Sequence, residues 1–192
     1  IIVGAGGHND PLRRAKWSES SLKIPIKFVL MEGEFGDAVE LHFGSMAPGG
    51  YAWVFPKERG ANIGLGIQNK FSKDRNLNSL ADEFISNYEG NITFRGAGSL
   101  PMSGSIKQFV KENHLLVGDS AGMVLPSNGA GITIAMVGGR IAGQTIVSHL
   151  DEGTSLHEYE REWKRQMGSV MRNSKLSFNI GSWIMRLSLI HI

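Results

Sequence analysis

The sequence of 192 residues predicts an α/β protein in which a sheet-rich α+β insertion interrupts an α/β domain. Two observations carry this prediction. Residues 115–146 run from a short apolar strand through an acidic turn and a glycine-rich loop into a helix of small and apolar residues. Between residues 22 and 68, four apolar runs are separated by glycine-containing turns, which is typical of antiparallel strands. The insertion therefore lies before the strand and helices that close the α/β domain.

Residues 1–20 are assigned to the α/β domain and residues 21–105 to the insertion. The apolar run Ile1–Val3 predicts the first strand. A helix is predicted at Leu77–Tyr88, because its apolar residues recur on one helical side. Five strands are predicted in the insertion: Leu22–Met31, Ala38–Phe43, Gly50–Pro56, Ala61–Gln68 and Ile92–Ala97.

Residues 106–150 are predicted to close the α/β domain, and residues 151–186 to form a helical region. The predicted elements are strands at Ile106–Val110 and Leu115–Val117, followed by helices at Gly129–Leu150 and Leu156–Arg172. The last six residues, 187–192, match one frame of a widely used transposase sequencing adapter, which predicts a non-native tail. The alternative is that residues 180–192 form a short amphipathic helix that touches a membrane.

The composition limits the classes of function. A formal net charge of +2 without a clustered basic stripe argues against a dedicated nucleic-acid binder. The chain has no cysteine, so neither a disulfide framework nor thiolate chemistry is expected, and its six histidines show no metal-binding spacing. No apolar run reaches the ~18 residues that a spanning helix needs. The hydrophobic fraction of 41% is sufficient for a globular core.

The segment after Leu115–Val117 has the parts of a nucleotide-cofactor cradle. Gly118 and Asp119 follow the predicted strand at once and place one carboxylate at its end. The glycines of the loop 129–131 let a ligand approach the backbone, and the start of the following helix favours electron-rich ligand atoms. Asp119 is expected to accept hydrogen bonds from sugar or ribityl hydroxyls. The competing interpretation is that these glycines serve only packing.

This segment also resembles a known motif. The pattern GDSAG…P…GAGI is similar to the second FAD-binding motif of the superfamily that contains the flavoprotein monooxygenases and the geranylgeranyl reductases. The resemblance implies a partial FAD-binding Rossmann-like domain with an antiparallel-sheet substrate domain, in a p-hydroxybenzoate hydroxylase-like arrangement. It implies that Asp119 binds the ribityl chain and that residues 129–132 line the flavin ring. The implied cofactor-binding residues are Gly118, Asp119, Pro126, Gly129, Ala130, Gly131 and Ile132.

A second pattern places aromatic residues on one strand. Tyr51, Trp53 and Phe55 alternate with Ala52 and Val54, so on a strand the aromatic side chains share one face. Such a stripe is explained either by a hydrophobic core or by the wall of a tunnel for a long apolar substrate. The two interpretations remain open on the pattern alone.

The run from Pro48 to Lys57 resembles the P-x-x-Y-x-W-x-F-P-K motif of geranylgeranyl reductases, and Ala61–Gly66 is similar to their following strand. The resemblance favours the tunnel and implies a substrate-binding set of Tyr51, Trp53, Phe55 and Pro56. The loop 126–132, PSNGAGI, is more similar to the archaeal members, the digeranylgeranylglycerophospholipid reductase type, than to the chlorophyll-pathway members.

The N-terminal segment is a weaker match. Residues 1–13 resemble a strand followed by the family's A-D-G-x-x-S-x-x-R motif, but Gly6 stands where the motif has Asp and Asp10 where it has Ser. No G-x-G-x-x-G fingerprint of an ADP-binding unit occurs in the chain. We therefore expect the C-terminal part of a longer protein, inactive by itself.

The resemblance implies an FAD-dependent reductase that saturates prenyl (geranylgeranyl) double bonds of an isoprenoid lipid precursor. The implied partners are the lipid substrate and an electron donor, ferredoxin or reduced nicotinamide; a cytoplasmic location with peripheral membrane contact is expected. No residue is assigned as catalytic and no metal is expected. One alternative is a flavin-dependent aromatic hydroxylase or halogenase, which shares the GD motif but not the Tyr51–Lys57 pattern. Another is a non-catalytic binding module.

Overall fold

The computed structural model describes residues 1–18, 22–72 and 74–190, with side chains for these residues up to Ile184. Its contacts divide the chain into a split unit, Ile1–Lys23 with Leu100–Ile192, and an inserted unit, Ile24–Ser99. In chain order, the strands and helices are β1 Ile2–Gly4, α1 Pro11–Lys16, β2 Lys23–Glu32, β3 Glu40–His42, β4 Tyr51–Lys57, β5 Gly60–Gly66, α2 Leu77–Ile85, β6 Asn91–Pro101, β7 Val110–Lys111, β8 His114–Leu116, α3 Ile132–Glu152 and α4 Glu158–Ile190.

The inserted unit is built on a five-stranded sheet in the order β3-β4-β5-β2-β6. Strand β5 is antiparallel to both β4 and β2, with Ile63 paired with Val54 on one side and with Val29 on the other. These three side chains are buried and form one core with α2, whose Leu80 and Phe84 are also buried. The core therefore lies on one face of the sheet.

The split unit contains a small sheet in the order β1-β8-β7, in which β1 and β8 are parallel and Val3 pairs with Leu115. Helices α3 and α4 contribute to its core. Tyr159 of α4 is fully buried, and its hydroxyl donates a hydrogen bond to the carbonyl oxygen of Leu116 at 3.2 Å. The α/β class with an antiparallel insertion is thus confirmed. Which unit holds cofactor and which holds substrate stays a prediction.

Two local predictions differ from the structure. The strand predicted at Ile106–Val110 is wrong, because only Val110 enters the sheet. The backbone N–H groups of Phe109 and Val110 donate instead to Oε1 of Glu160, at 2.8 and 2.9 Å, so a carboxylate replaces a strand neighbour. Helix α1 was not predicted. Asp10 caps it by accepting from the Arg13 N–H at 3.0 Å.

The C-terminal helix α4 extends well beyond the predicted Leu156–Arg172 and ends at Ile190. The predicted non-native tail, residues 187–192, lies outside the residues whose side chains the structure describes. Among the described residues, no helix combines the length and the apolar composition that crossing a membrane requires.

Candidate cofactor and substrate site

The turn after β8 holds the predicted carboxylate. Gly118 has φ of +67°, in the left-handed region that favours glycine, and begins a short 3-10 turn that ends at Ala121. This turn places Asp119 half-buried beside the start of α3. Burial raises the pKa of the Asp119 carboxyl, and no cation in the described part of the chain forms an ion pair with it. A carboxylate held in this way is free to accept hydrogen bonds from a ligand.

Glycines keep the space around this carboxylate open. A Cβ on Gly131 would lie 3.4 Å from Oδ1 of Asp119 and 3.2 Å from Val124, and a Cβ on Gly118 would lie 3.3 Å from Cβ of Ala135. Gly131 is the N-cap of α3, and no side chain caps the first turn of that helix. The structure therefore brings Gly118, Asp119 and Gly131 together around uncapped backbone N–H groups, which favour electron-rich ligand atoms.

The remaining predicted cofactor residues have different environments. Ala130 is fixed in the loop, because its N–H donates to Oδ1 of Asn128 at 3.0 Å and its carbonyl oxygen accepts from Leu125 at 2.9 Å. Ile132 is 82% exposed, so it offers an apolar surface at the start of α3. Gly129 has φ of +75° and turns the loop. Pro126 is buried beside Gly104 and shapes the loop from within.

The predicted aromatic stripe is present on β4. The ring centroids of Tyr51 and Trp53 are 5.9 Å apart, and those of Trp53 and Phe55 are also 5.9 Å apart in a stacked arrangement. Trp53 is buried, while Tyr51 and Phe55 are half-buried. The Trp53 indole N–H donates to Oδ1 of Asn62 on β5 at 2.8 Å, which fixes the ring. Burial also raises the pKa of the Tyr51 hydroxyl, so this residue is neutral at physiological pH.

The aromatic stripe does not belong to the core of the inserted unit. Ala52 and Val54, which alternate with it, are the β4 residues of that core. On the aromatic face, Trp53 is paired with Gly64 and Tyr51 with Gly66. A Cβ on Gly64 would lie 2.6 Å from the Trp53 indole, so glycine is required there. Because this face has aromatic rings beside positions without side chains, it forms a shelf on which a flat or extended apolar ligand can lie.

Sequence reasoning missed part of this shelf. Phe28 of β2 is paired with Gly64 and therefore shares the aromatic face, and its ring lies 6.0 Å from that of Phe94 on β6, which is 52% exposed. A Cβ on Gly96 would lie 2.4 Å from the Phe28 ring. The available signal was a phenylalanine beside glycines of two other strands, but this signal can be recognised only when the strand order is known.

Pro56, the fourth predicted substrate residue, is placed differently. It is paired with Ala61 and alternates onto the opposite face from the three aromatic residues of β4. There it lines a cleft at the end of the sheet with Glu34 and Gly36. The structure therefore brings Tyr51, Trp53 and Phe55 together but not Pro56. No group of side chains suited to a metal ion occurs among the described residues.

Comparison with known proteins agrees with this geometry. Residues 23–97 match the family model of the geranylgeranyl reductase catalytic domain, which covers the aromatic shelf. The chain is 32% identical over 176 residues to digeranylgeranylglycerophospholipid reductase 3 of Methanosphaera stadtmanae, covering 83% of this chain and 44% of that protein. The chain belongs to the geranylgeranyl reductase family. It is 38% identical over 140 residues to the digeranylgeranylglycerophospholipid reductase of Methanocaldococcus jannaschii, covering 67% of this chain and 35% of that protein.

Solved structures show the same fold. A geranylgeranyl bacteriochlorophyll reductase-like protein of Thermoplasma acidophilum is 26% identical, with a TM-score of 0.80 over 93% of this chain and 49% of that one. A flavin-dependent halogenase of Brevundimonas is similar in fold alone, since it is 17% identical to this chain. Its TM-score is 0.65 over 88% of this chain and 36% of the halogenase. The chain spans about half or less of the length of the curated relatives that it matches.

Proposed function

We propose that the protein containing this chain is an FAD-dependent reductase that saturates geranylgeranyl double bonds of an isoprenoid lipid precursor. The observation that carries the proposal is the aromatic shelf of β4, β5 and β2, which lies on the sheet face opposite the core and has glycines where an ordinary sheet has side chains. The names of the matched relatives support a prenyl lipid as substrate. The turn at Asp119 supports a ribityl-containing cofactor.

FAD fits the residues that are present around this turn. Asp119 would accept hydrogen bonds from ribityl hydroxyls, and burial raises the pKa of its carboxyl. Gly131 leaves the room that a Cβ would fill, and the uncapped amides at the start of α3 would face the electron-rich edge of the ring. Bound and reduced, the flavin supplies the hydride for saturating a carbon–carbon double bond.

The contribution of the protein to catalysis is then placement. An isolated prenyl double bond offers no charged group to hold, so the substrate must be oriented by shape and apolar contact. Trp53, held by its hydrogen bond to Asn62, and the half-buried rings of Tyr51 and Phe55 provide a rigid apolar wall. Such a wall discriminates weakly by length, at ~1–3 kcal/mol per methylene-scale change. We therefore expect several prenyl chain lengths to be accepted.

The alternative of an aromatic hydroxylase or halogenase predicts different chemistry. A hydroxylase consumes reduced nicotinamide together with oxygen when a phenolic ligand is added. We expect the protein from the complete reading frame, loaded with FAD, to show no such stimulation by phenolic or indolic compounds. Its flavin, once reduced, should instead be reoxidised anaerobically by geranylgeranyl lipids. Oxygen-electrode and anaerobic absorbance measurements on one preparation check this; phenol-stimulated oxygen uptake would favour the hydroxylase.

The proposal includes an electron donor, either ferredoxin or reduced nicotinamide. It also includes peripheral contact of the protein with a membrane. Helix α4 exposes a stripe of large apolar side chains that are 49–61% accessible. These are Leu176, Ile180, Trp183 and Ile184. The sequence from 163 to 192 contains five lysines and arginines and no acidic residue. An exposed apolar stripe with basic neighbours suits an anionic lipid surface.

We expect Trp183→Ser to reduce binding of the full-length protein to anionic phosphatidylglycerol vesicles by several-fold, because an interfacial tryptophan is lost. Leu150→Ser, at an equally exposed apolar position on α3, is the matched control and should leave binding unchanged. Vesicle co-sedimentation at low and high salt measures both. Equal binding of the two variants would show that the α4 stripe does not touch the membrane.

A further inference from the structure

Two charged side chains in the split unit are buried, although neither belongs to the predicted ligand contacts. Asp10 is 4% exposed and Arg13 is 6% exposed. Burying a charged group is unfavourable unless hydrogen bonds compensate for the lost hydration. The hydrogen-bond partners of Asp10 and Arg13 therefore indicate the role of these two residues. They flank the start of α1, at the end of the segment that follows β1.

The Asp10 carboxylate organises the segment after β1. Its Oδ2 accepts from the backbone N–H of Gly6 at 2.7 Å, and its Oδ1 accepts from the backbone N–H of Arg13 at 3.0 Å. It therefore joins the loop at Gly6 to the first turn of α1. The position of the Arg13 side chain follows from this junction.

The Arg13 guanidinium reaches the turn that carries Asp119. Its Nη1 donates to the backbone carbonyl oxygen of Ser120 at 2.7 Å, in a buried hydrogen bond. The Ser120 hydroxyl in turn lies 2.5 Å from the carbonyl oxygen of Gly4, the last residue of β1. Because Ser120 follows Asp119 directly, these contacts fix the residue next to the carboxylate proposed to bind ribityl hydroxyls.

Gly6 and Asp10 depend on each other. A Cβ added to Gly6 would lie 2.8 Å from Oδ2 of Asp10, closer than such contacts occur. The two departures of this chain from the A-D-G-x-x-S-x-x-R pattern, at positions 6 and 10, therefore fall on residues in direct contact. A carboxylate at position 6 and a carboxylate at position 10 would compete for one space.

We propose that Asp10 and Arg13 are positioning residues for the cofactor site, which hold Asp119 in its ligand-binding orientation through the Ser120 carbonyl, and that Gly6 and Asp10 are one coupled pair. The inference rests on the proposed role of Asp119 in binding FAD. It adds that the carboxylate at position 10 orders the loop in this chain, and that Gly6 leaves the space which this carboxylate occupies.

A double-mutant cycle on the complete reading frame tests the proposal. Arg13→Met should weaken FAD binding by about tenfold, the effect of losing a hydrogen bond from a charged group. Arg13→Met combined with Asp119→Ala should bind FAD no more weakly than Asp119→Ala alone, because Arg13 acts through Asp119. Arg14→Met, at the exposed neighbouring arginine, is the matched control and should bind FAD normally. Flavin fluorescence titration of the apoprotein measures each affinity.

The coupled pair has its own test. Gly6→Asp and Asp10→Ser should each weaken FAD binding, and the double variant Gly6→Asp/Asp10→Ser should return to within about threefold of the parent, since neighbouring sites are non-additive. Additive losses in either cycle, or an Arg13→Met protein with parental affinity, would overturn the proposal. If Arg13→Met does not fold, Arg13→Gln, which removes the charge but keeps a polar side chain, replaces it with the same expectations. If Asp119→Ala itself retains FAD, the proposed cofactor site fails, and this outcome is distinct from failure of the positioning role.

Discussion

Replacing Asp119 by alanine is expected to lower FAD affinity about 10- to 150-fold, because hydrogen bonds to a charged group contribute roughly 1.5–3 kcal/mol. The carboxylate has no ion-pair partner among the described residues, so its removal leaves no unpaired cation behind. The loss should therefore appear in cofactor binding and not in the fold. Titration of the apoprotein with FAD, followed by flavin fluorescence, gives the affinity.

Asp119→Asn is the isosteric control. It should change the stability of the apoprotein and its affinity for FAD in opposite directions. Burial raises the pKa of this carboxyl, so the ionised group disfavours the folded state at neutral pH. This penalty is complete above the folded-state pKa and disappears as the pH falls below the ordinary range of an aspartate. Asp119→Asn should thus raise the melting temperature of the apoprotein at pH 7 while weakening FAD binding. An Asp119→Ala protein that binds FAD like the parent would show that Asp119 is not a ribityl ligand.

Trp53→Ala is expected to lower kcat/KM for prenyl lipid reduction about 10- to 100-fold while FAD remains bound. The substitution removes an apolar wall in the inserted unit, whereas the residues proposed to bind the flavin belong to the split unit. Trp53→Phe keeps the apolar face and removes only the hydrogen bond to Asn62, so it should retain most activity. Turnover must be expressed per flavin-loaded, folded molecule, at a temperature well below unfolding.

Leu65→Ala is the control for a purely structural effect. Leu65 is fully buried in the core on the other face of the same sheet, and its truncation should reduce the free energy of unfolding by ~2–5 kcal/mol. Its turnover per folded molecule should stay close to that of the parent. If Trp53→Ala behaves as Leu65→Ala does, with normal turnover per folded molecule and reduced stability, the aromatic stripe is core and the shelf interpretation is wrong.

Much of the fold was predictable because local signals agreed with tertiary structure. Alternation of apolar residues predicted the strands that became β2, β4 and β5, and it predicted the shared face of Tyr51, Trp53 and Phe55. The strand at Ile106–Val110 was wrong because its N–H groups bond to Glu160, some 50 residues further along the chain. Pattern reading within a short window contains no information about such a partner.

The candidate site was predictable only in part for the same reason. Gly118, Asp119 and Gly131 lie close to each other in sequence, so the motif could be read directly. Phe28 joins the aromatic shelf through strand pairing with Gly64, which a sequence pattern does not specify. The role of Arg13 requires a contact to Ser120 across 107 positions. Asp10 followed by Pro11 was a readable signal for α1, since both residues favour the start of a helix.

The most direct test of the account is the mass of the lipid product. The protein from the complete reading frame, loaded with FAD and reduced anaerobically, should be incubated with a digeranylgeranyl lipid and the lipid analysed by mass spectrometry. We expect products heavier by two hydrogens for each double bond reduced, formed by the parent and Trp53→Phe proteins and strongly diminished with Trp53→Ala. An unchanged lipid mass with the fully reduced, FAD-loaded parent, or a product that has gained oxygen, would contradict it.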